Sequence, residues 1–133
     1  MQESKYFYLW QHRMVLPDDR IVTRTCFGIT GNLDNRRNNY EGHVGHEIEF
    51  SHVWAGLDRP IRELEIKIKS AFADYLVKGF RDFTYEWINE EVAYEQILGW
   101  VEYEVEDQPS IDKFNLENAH GPKTIEEVRQ GQT

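Results

Sequence analysis

The chain has a single cysteine, Cys26, so no internal disulfide can form and the stapled secreted scaffolds are excluded. A reducing, cytoplasmic location is the economical expectation. Long apolar runs are also missing. Nothing approaches the roughly 18 consecutive residues that a membrane span needs, so the sequence predicts a soluble chain with no membrane partner. The opening MQESKYFYLWQHR lacks the basic-then-apolar order of a signal peptide. Positive charge is scarce as well: 15 Lys and Arg stand against 24 Asp and Glu, for a net charge of −9. That balance argues against a nonspecific polyanion binder, because counterion release needs clustered surface cations.

What is present suits one packed domain. Hydrophobic residues make up 40% and aromatics 14% of 133 residues, enough for one core and too short a chain for two. Charge is unevenly placed. Arg13 to Arg37 holds five arginines against three acids, whereas Glu86 to Asp107 holds eight acids and no Lys or Arg. A nucleic-acid site in such a chain is local, and the adjacent Arg36 and Arg37 mark the place to look.

The apolar pattern predicts an α/β fold: a small three-stranded antiparallel sheet flanked by helices. Strands are expected near 5–14, 20–29 and 47–55, with the Pro17-Asp18-Asp19 turn closing the first hairpin. In the third, Ile48, Phe50, His52 and Trp54 alternate with polar or small residues and predict one apolar face. Asn32 is the expected cap of a helix over 32–41 that puts Leu33, Arg36, Arg37 and Tyr40 on one side and stops at Gly42. A second helix is expected over 60–78, with Glu65 on the apolar face of Ile61, Leu64, Ile68 and Phe72. Residues 83–88 read as extended, and Asn89 as the cap of a last helix over 89–102. Residues 1–106 form the expected domain. From Asp107 to Thr133 the polar composition predicts a weakly ordered tail, dispensable for folding.

Cys26-Phe27-Gly28-Ile29-Thr30-Gly31-Asn32-Leu33-Asp34-Asn35-Arg36, with His43 two turns on, resembles the strand-and-helix motif Y-[IV]-G-x-[TS]-x-N-L-x-x-R of the GIY-YIG endonuclease superfamily. The likeness is greatest to a viral and phage branch with K-I-G in place of Y-I-G, a later "lE..l...F" and an "EWF". Leu64-Glu65, Ile68 and Phe72, then Glu86-Trp87-Ile88, follow that order, and Tyr6-Phe7-Tyr8 aligns with G-I-Y. The resemblance spans roughly residues 6 to 101. It implies a metal-dependent DNA endonuclease in which Arg36 is the cation at the phosphate and Glu65 holds one divalent metal, Mg²⁺ foremost. Tyr8 would position the attacking water, and His43 would assist at the scissile phosphate. The family's second tyrosine falls at Cys26, and a thiol does not reproduce a phenol's reach.

Two other readings follow from the same residues. Cys26 and the net charge of −9 suit a catalytically weak or inactive module of this type that binds nucleic acid or a protein partner. Affinity for DNA beyond a local site would then come from a homo-oligomer or a separate partner. His43, His46 and His52 raise a zinc site, but the two-residue gap of His43-Val-Gly-His46 comes without a defined third ligand.

Overall fold

The computed structural model describes residues 4–77 and 87–114. Strands β1 (Ser4–Val15) and β2 (Ile21–Thr30) form the expected hairpin, with Tyr8 opposite Gly28 and Trp10 opposite Cys26. Helix α1 (Leu33–Val44) follows, then β3 (His52–Leu57), α2 (Asp58–Ala71), a 3-10 turn at Ala73–Tyr75, β4 (Trp87–Ile88), α3 (Tyr94–Glu106) and β5 (Ile111–Lys113). The fold is α/β. Its sheet has five antiparallel strands in the order β4-β2-β1-β3-β5, so the expectation of three is corrected by a short strand on each edge.

Both faces of this sheet are covered, and β1 shows it directly: Phe7, Tyr8, Leu9 and Trp10 are buried in succession. Strand alternation sends Phe7 and Leu9 one way and Tyr8 and Trp10 the other. On the first face they meet Phe27, Trp54 and the helical residues Ile61, Leu64, Ile68, Ile97 and Val101. On the second, Tyr8 and Trp10 meet Cys26, Leu33, Tyr40, Ile48, Phe50 and Val53. Helices α2 and α3 therefore cover one face, and α1 with the following loop covers the other.

That division corrects the reading of the third strand. Ile48 and Phe50 are buried against α1, whereas Trp54 points to the α2 side. Regular strand begins only at His52; Ser51 is a bend whose N–H donates to the Leu9 carbonyl at 2.8 Å. The irregular step reverses the parity between Phe50 and Val53, which a strict period-2 reading cannot show.

Helix ends follow local chemistry. The Asn32 side chain accepts from Asn35 N–H at 3.0 Å, as expected of a cap. Gly42 lies within α1, and Gly45 ends it, at φ 82°, a conformation that glycine adopts without Cβ strain. Helix α2 stops at Ala71, short of the expected 78, because the chain tightens into the Ala73–Tyr75 turn. Asn89 caps no helix; its side chain takes Glu91 N–H at 2.8 Å in a local turn, and α3 starts at Tyr94. There Gln96 reaches back to Ala93 N–H at 3.0 Å. Of the expected extended segment, 83–86 lies outside the described residues.

The boundary at residue 107 is also corrected. β5 pairs with β3, Ile111 is buried in the core, and Phe114 N–H donates to the Val53 carbonyl at 2.8 Å. Gly56 makes this docking possible: a Cβ there would stand 2.8 Å from the Ser110 carbonyl oxygen. The remainder of the expected tail, 115–133, lies outside the described residues.

Candidate phosphate site at Tyr8 and Arg36

The two adjacent arginines of α1 have different partners. Arg36 Nη1 donates to the Tyr8 hydroxyl at 3.0 Å, and its guanidinium carbon lies 6.0 Å from the centre of the Tyr8 ring. Arg37 pairs with Asp34 at 3.4 Å, one turn back on the same helix. The difference has a geometric origin. Leu33, Arg36 and Tyr40 recur at i, i+3 and i+7, and Leu33 and Tyr40 are buried against the sheet, so Arg36 is carried towards β1.

Tyr8 is fully buried, and its hydroxyl lies 2.7 Å from that of Tyr40. Their rings meet edge to face at 5.8 Å, an arrangement that suits the aromatic quadrupoles. Cys26 Sγ donates to the Tyr40 hydroxyl at 3.4 Å. Arg36, Tyr8, Tyr40 and Cys26 thus form one linked group built from β1, β2 and α1, in which one guanidinium and one thiol donate to two phenol oxygens.

Tyr40 was legible only as an apolar position of the helix, yet it bridges Tyr8 and Cys26. Its place at Arg36+4, on the same helix face as the arginine, is the signal that could have found it. Cys26, on β2 opposite Trp10, reaches with its thiol a phenol contributed by α1.

The other predicted site residues are not brought to this group among the described residues. His43 is exposed in the last turn of α1, two turns beyond Arg36 on the same stripe and about 10 Å along the axis at 1.5 Å per residue. Glu65 lies on α2, the helix that packs on the opposite face of the sheet, with Lys69 Nζ 4.0 Å from its carboxylate. It sits at the rim of the apolar face and not within it: its side chain retains 19% exposure. The three histidines of the zinc reading separate. His46 follows α1 with Nδ1 2.9 Å from the Glu47 carbonyl oxygen, and His52 on β3 lies with Nδ1 2.6 Å from the Tyr94 hydroxyl.

No group of three His, Cys, Asp or Glu with metal-binding geometry occurs among the described residues. Glu65 fits Mg²⁺ in donor type, because that ion accepts one carboxylate and completes its octahedron with water and phosphate oxygens. Its contribution would be that single carboxylate.

Comparison with protein-family models, curated proteins and solved structures gives no match.

Proposed function

We propose that this chain is a GIY-YIG-type endonuclease that hydrolyses phosphodiester bonds in DNA. The observation that carries the reading is the choice between the two arginines. Arg36, eight residues after Gly28 as the family motif requires, is the one that donates to Tyr8.

A phosphodiester gains negative charge on its nonbridging oxygens as the nucleophile attacks, and a fixed guanidinium opposes that charge in the geometry of phosphate. Arg36 would hold the phosphate, with the Tyr8 ring and hydroxyl setting the plane of its guanidinium. The resemblance assigns Mg²⁺ to Glu65, where the ion when bound would supply Lewis-acid stabilisation of phosphate oxygens, but Glu65 lies across the sheet from Arg36 and the two do not converge on one phosphate within this chain. His43, exposed on the same stripe of α1, would face the strand leaving the site.

A second reading is a non-cleaving module of the same type that binds nucleic acid or a protein partner. Two placements favour it: the Tyr8 hydroxyl is fully buried, away from any attacking water, and Glu65 lies on the helix across the sheet from Arg36. Supercoiled plasmid incubated with the protein and Mg²⁺, with and without chelator, separates the two. Chelator-sensitive nicking that Arg36→Ala abolishes supports the enzyme. Retarded migration of DNA without nicking supports the binding module, and neither nicking nor retardation removes both DNA readings.

A further inference from the structure

From Tyr8 a continuous aromatic track leads away along the α1 face of the sheet. Tyr40 lies 5.0 Å from Trp10, Trp10 5.2 Å from Trp87, and His12 5.6 Å from Trp10 and 5.4 Å from Trp87. The register explains the convergence. Trp10 is opposite Cys26, Cys26 is opposite Trp87, and His12 follows Trp10 by two residues, so all project from one face.

His46 closes the track from above, its ring parallel to that of His12 within 16° and 5.7 Å away. It is held there by the end of α1: Gly45 turns the chain, and the Glu41 carboxylate accepts Ile48 N–H at 3.0 Å, pinning the loop on both sides of His46.

The track ends in a surface that combines stacked rings with unmet polar groups. Trp10 is buried and forms the floor, His12 and Trp87 are half-buried, and His46 is exposed. Trp10 Nε1 and His12 Nδ1 are buried and have no hydrogen-bond partner among the described residues. A structural core normally satisfies such atoms, since an orphaned one is costly. Burial, with His46 and Arg24 nearby, lowers the pKa of His12, which favours a neutral ring as a stacking platform.

We propose that His46, His12 and Trp87 form a nucleobase-stacking step, on which a base of a single DNA strand continues the His12–His46 stack while Arg36 holds a phosphate of the same strand. This rests on the phosphate reading of Arg36. The spacing suits it: Tyr8 and His12 are four residues apart on β1, about 13 Å at 3.3 Å per residue, within the reach of a few nucleotides. Such stacking tolerates any base, because every base has a π face. It also adds affinity that an acidic chain cannot draw from charge.

The test compares two ligands with the same phosphates. One is an oligothymidylate of about twelve nucleotides and the other is an equal-length strand with abasic sugars throughout, each titrated against the full chain at fixed salt. The base-bearing strand should bind about tenfold tighter. His46→Ala should erase that ratio and His46→Phe should keep it, because stacking needs a ring and not an imidazole. Arg36→Ala should weaken both ligands and leave the ratio. Equal affinities in the wild type, or a ratio that survives His46→Ala, overturn the stacking step while the phosphate reading stands. Failure of the wild type to bind either strand overturns both.

Discussion

Arg36 of α1 donates to the fully buried hydroxyl of Tyr8 on β1 at 3.0 Å, whereas its neighbour Arg37 turns to Asp34 on its own helix. The pair should therefore respond differently to truncation. Arg36→Ala removes a charged donor from a buried phenol and should cost roughly 1–3 kcal/mol of stability; on the proposed function it should also abolish nicking and weaken retardation of DNA. Arg37→Ala loses the pair with Asp34, a helical i,i+3 interaction worth about 0.5 kcal/mol, and does not touch the Tyr8 hydroxyl bond of Arg36. Thermal melts and plasmid assays on both variants check this, and loss of activity in Arg37→Ala alone would reverse the register.

Tyr40 stands between Tyr8 and Cys26, 2.7 Å from one oxygen and 3.4 Å from the sulfur. Tyr40→Phe keeps the ring contacts with Tyr8 and Trp10 but removes that bridge. Stability should fall by about 1–2 kcal/mol, the cost of leaving buried polar groups short of a partner. Chemical denaturation should show an unchanged slope with a lowered midpoint. An unchanged midpoint would mean that the hydroxyl contributes nothing net.

Glu65→Gln separates fold from chemistry. The Glu65 carboxylate lies 4.0 Å from Lys69 on a partly solvated helix rim, so its pair contributes no more than about 1 kcal/mol. The variant should melt within a few degrees of wild type. Mg²⁺-dependent nicking, if Glu65 holds the ion, should nevertheless vanish. Glu63→Gln, on the exposed side of the same helix beside Arg59, should change neither.

Acid sensitivity should come partly from His52. Burial is the main cause that lowers its pKa below the ordinary 6.5, with Lys113 adding to it and Glu102 opposing. The Tyr94 phenol keeps its proton, its own pKa raised chiefly by burial, and its hydroxyl is hydrogen-bonded with His52 Nδ1 at 2.6 Å. A folded pKa below the unfolded one means that the unfolded chain binds the proton more readily. The contribution is complete above about pH 6.5 and is lost as pH falls through that value towards the folded pKa. Melting temperature should therefore decline from about pH 7 to 5, and His52→Gln should flatten that decline.

Truncation after Glu106 should destabilise the fold. It removes Ile111 from the core, the Phe114 N–H bond to Val53 and the contact of the Phe114 ring with Tyr6 at 5.1 Å. Burial of one isoleucine and the lost hydrogen bonds together suggest about 3 kcal/mol, or roughly 10 °C in melting temperature. Truncation after Phe114 gives the comparison that isolates β5, and equal melting of the two forms would make this strand marginal.

Much of this architecture was legible because period and capping speak locally. The hairpin around Pro17-Asp18-Asp19, the Asn32 cap and the inward stripe of Leu33, Arg36 and Tyr40 each depend on residues within a few positions. The features that were missed depend on distant chain. The bend at Ser51 donates its N–H to the Leu9 carbonyl, and no period within 48–54 reveals the change of face. β5 is three residues long in a polar stretch and exists because Gly56 leaves room for it. For the site, spacing from Gly28 singled out Arg36. Glu65 shows the limit of the same method, since helical period placed it on the apolar face while only the packing of α2 against the sheet shows which side that face serves.

The strand order has a consequence for how the chain behaves in company. Among the described residues both borders of the sheet are short and partly occupied: β4 is bridged on its outer side by Leu76, with Val77 N–H donating to the Trp87 carbonyl at 2.9 Å, and β5 is three residues long, so little unpaired backbone is left there for another copy to zip onto. Among the described residues the longer open edge lies inside, on β1 beyond Leu9, where β3 no longer runs alongside. Gln11 and Arg13 are exposed there, and an arginine facing solvent on a strand paired on one side only, with β2, discourages the dry, in-register stacking of fibrils.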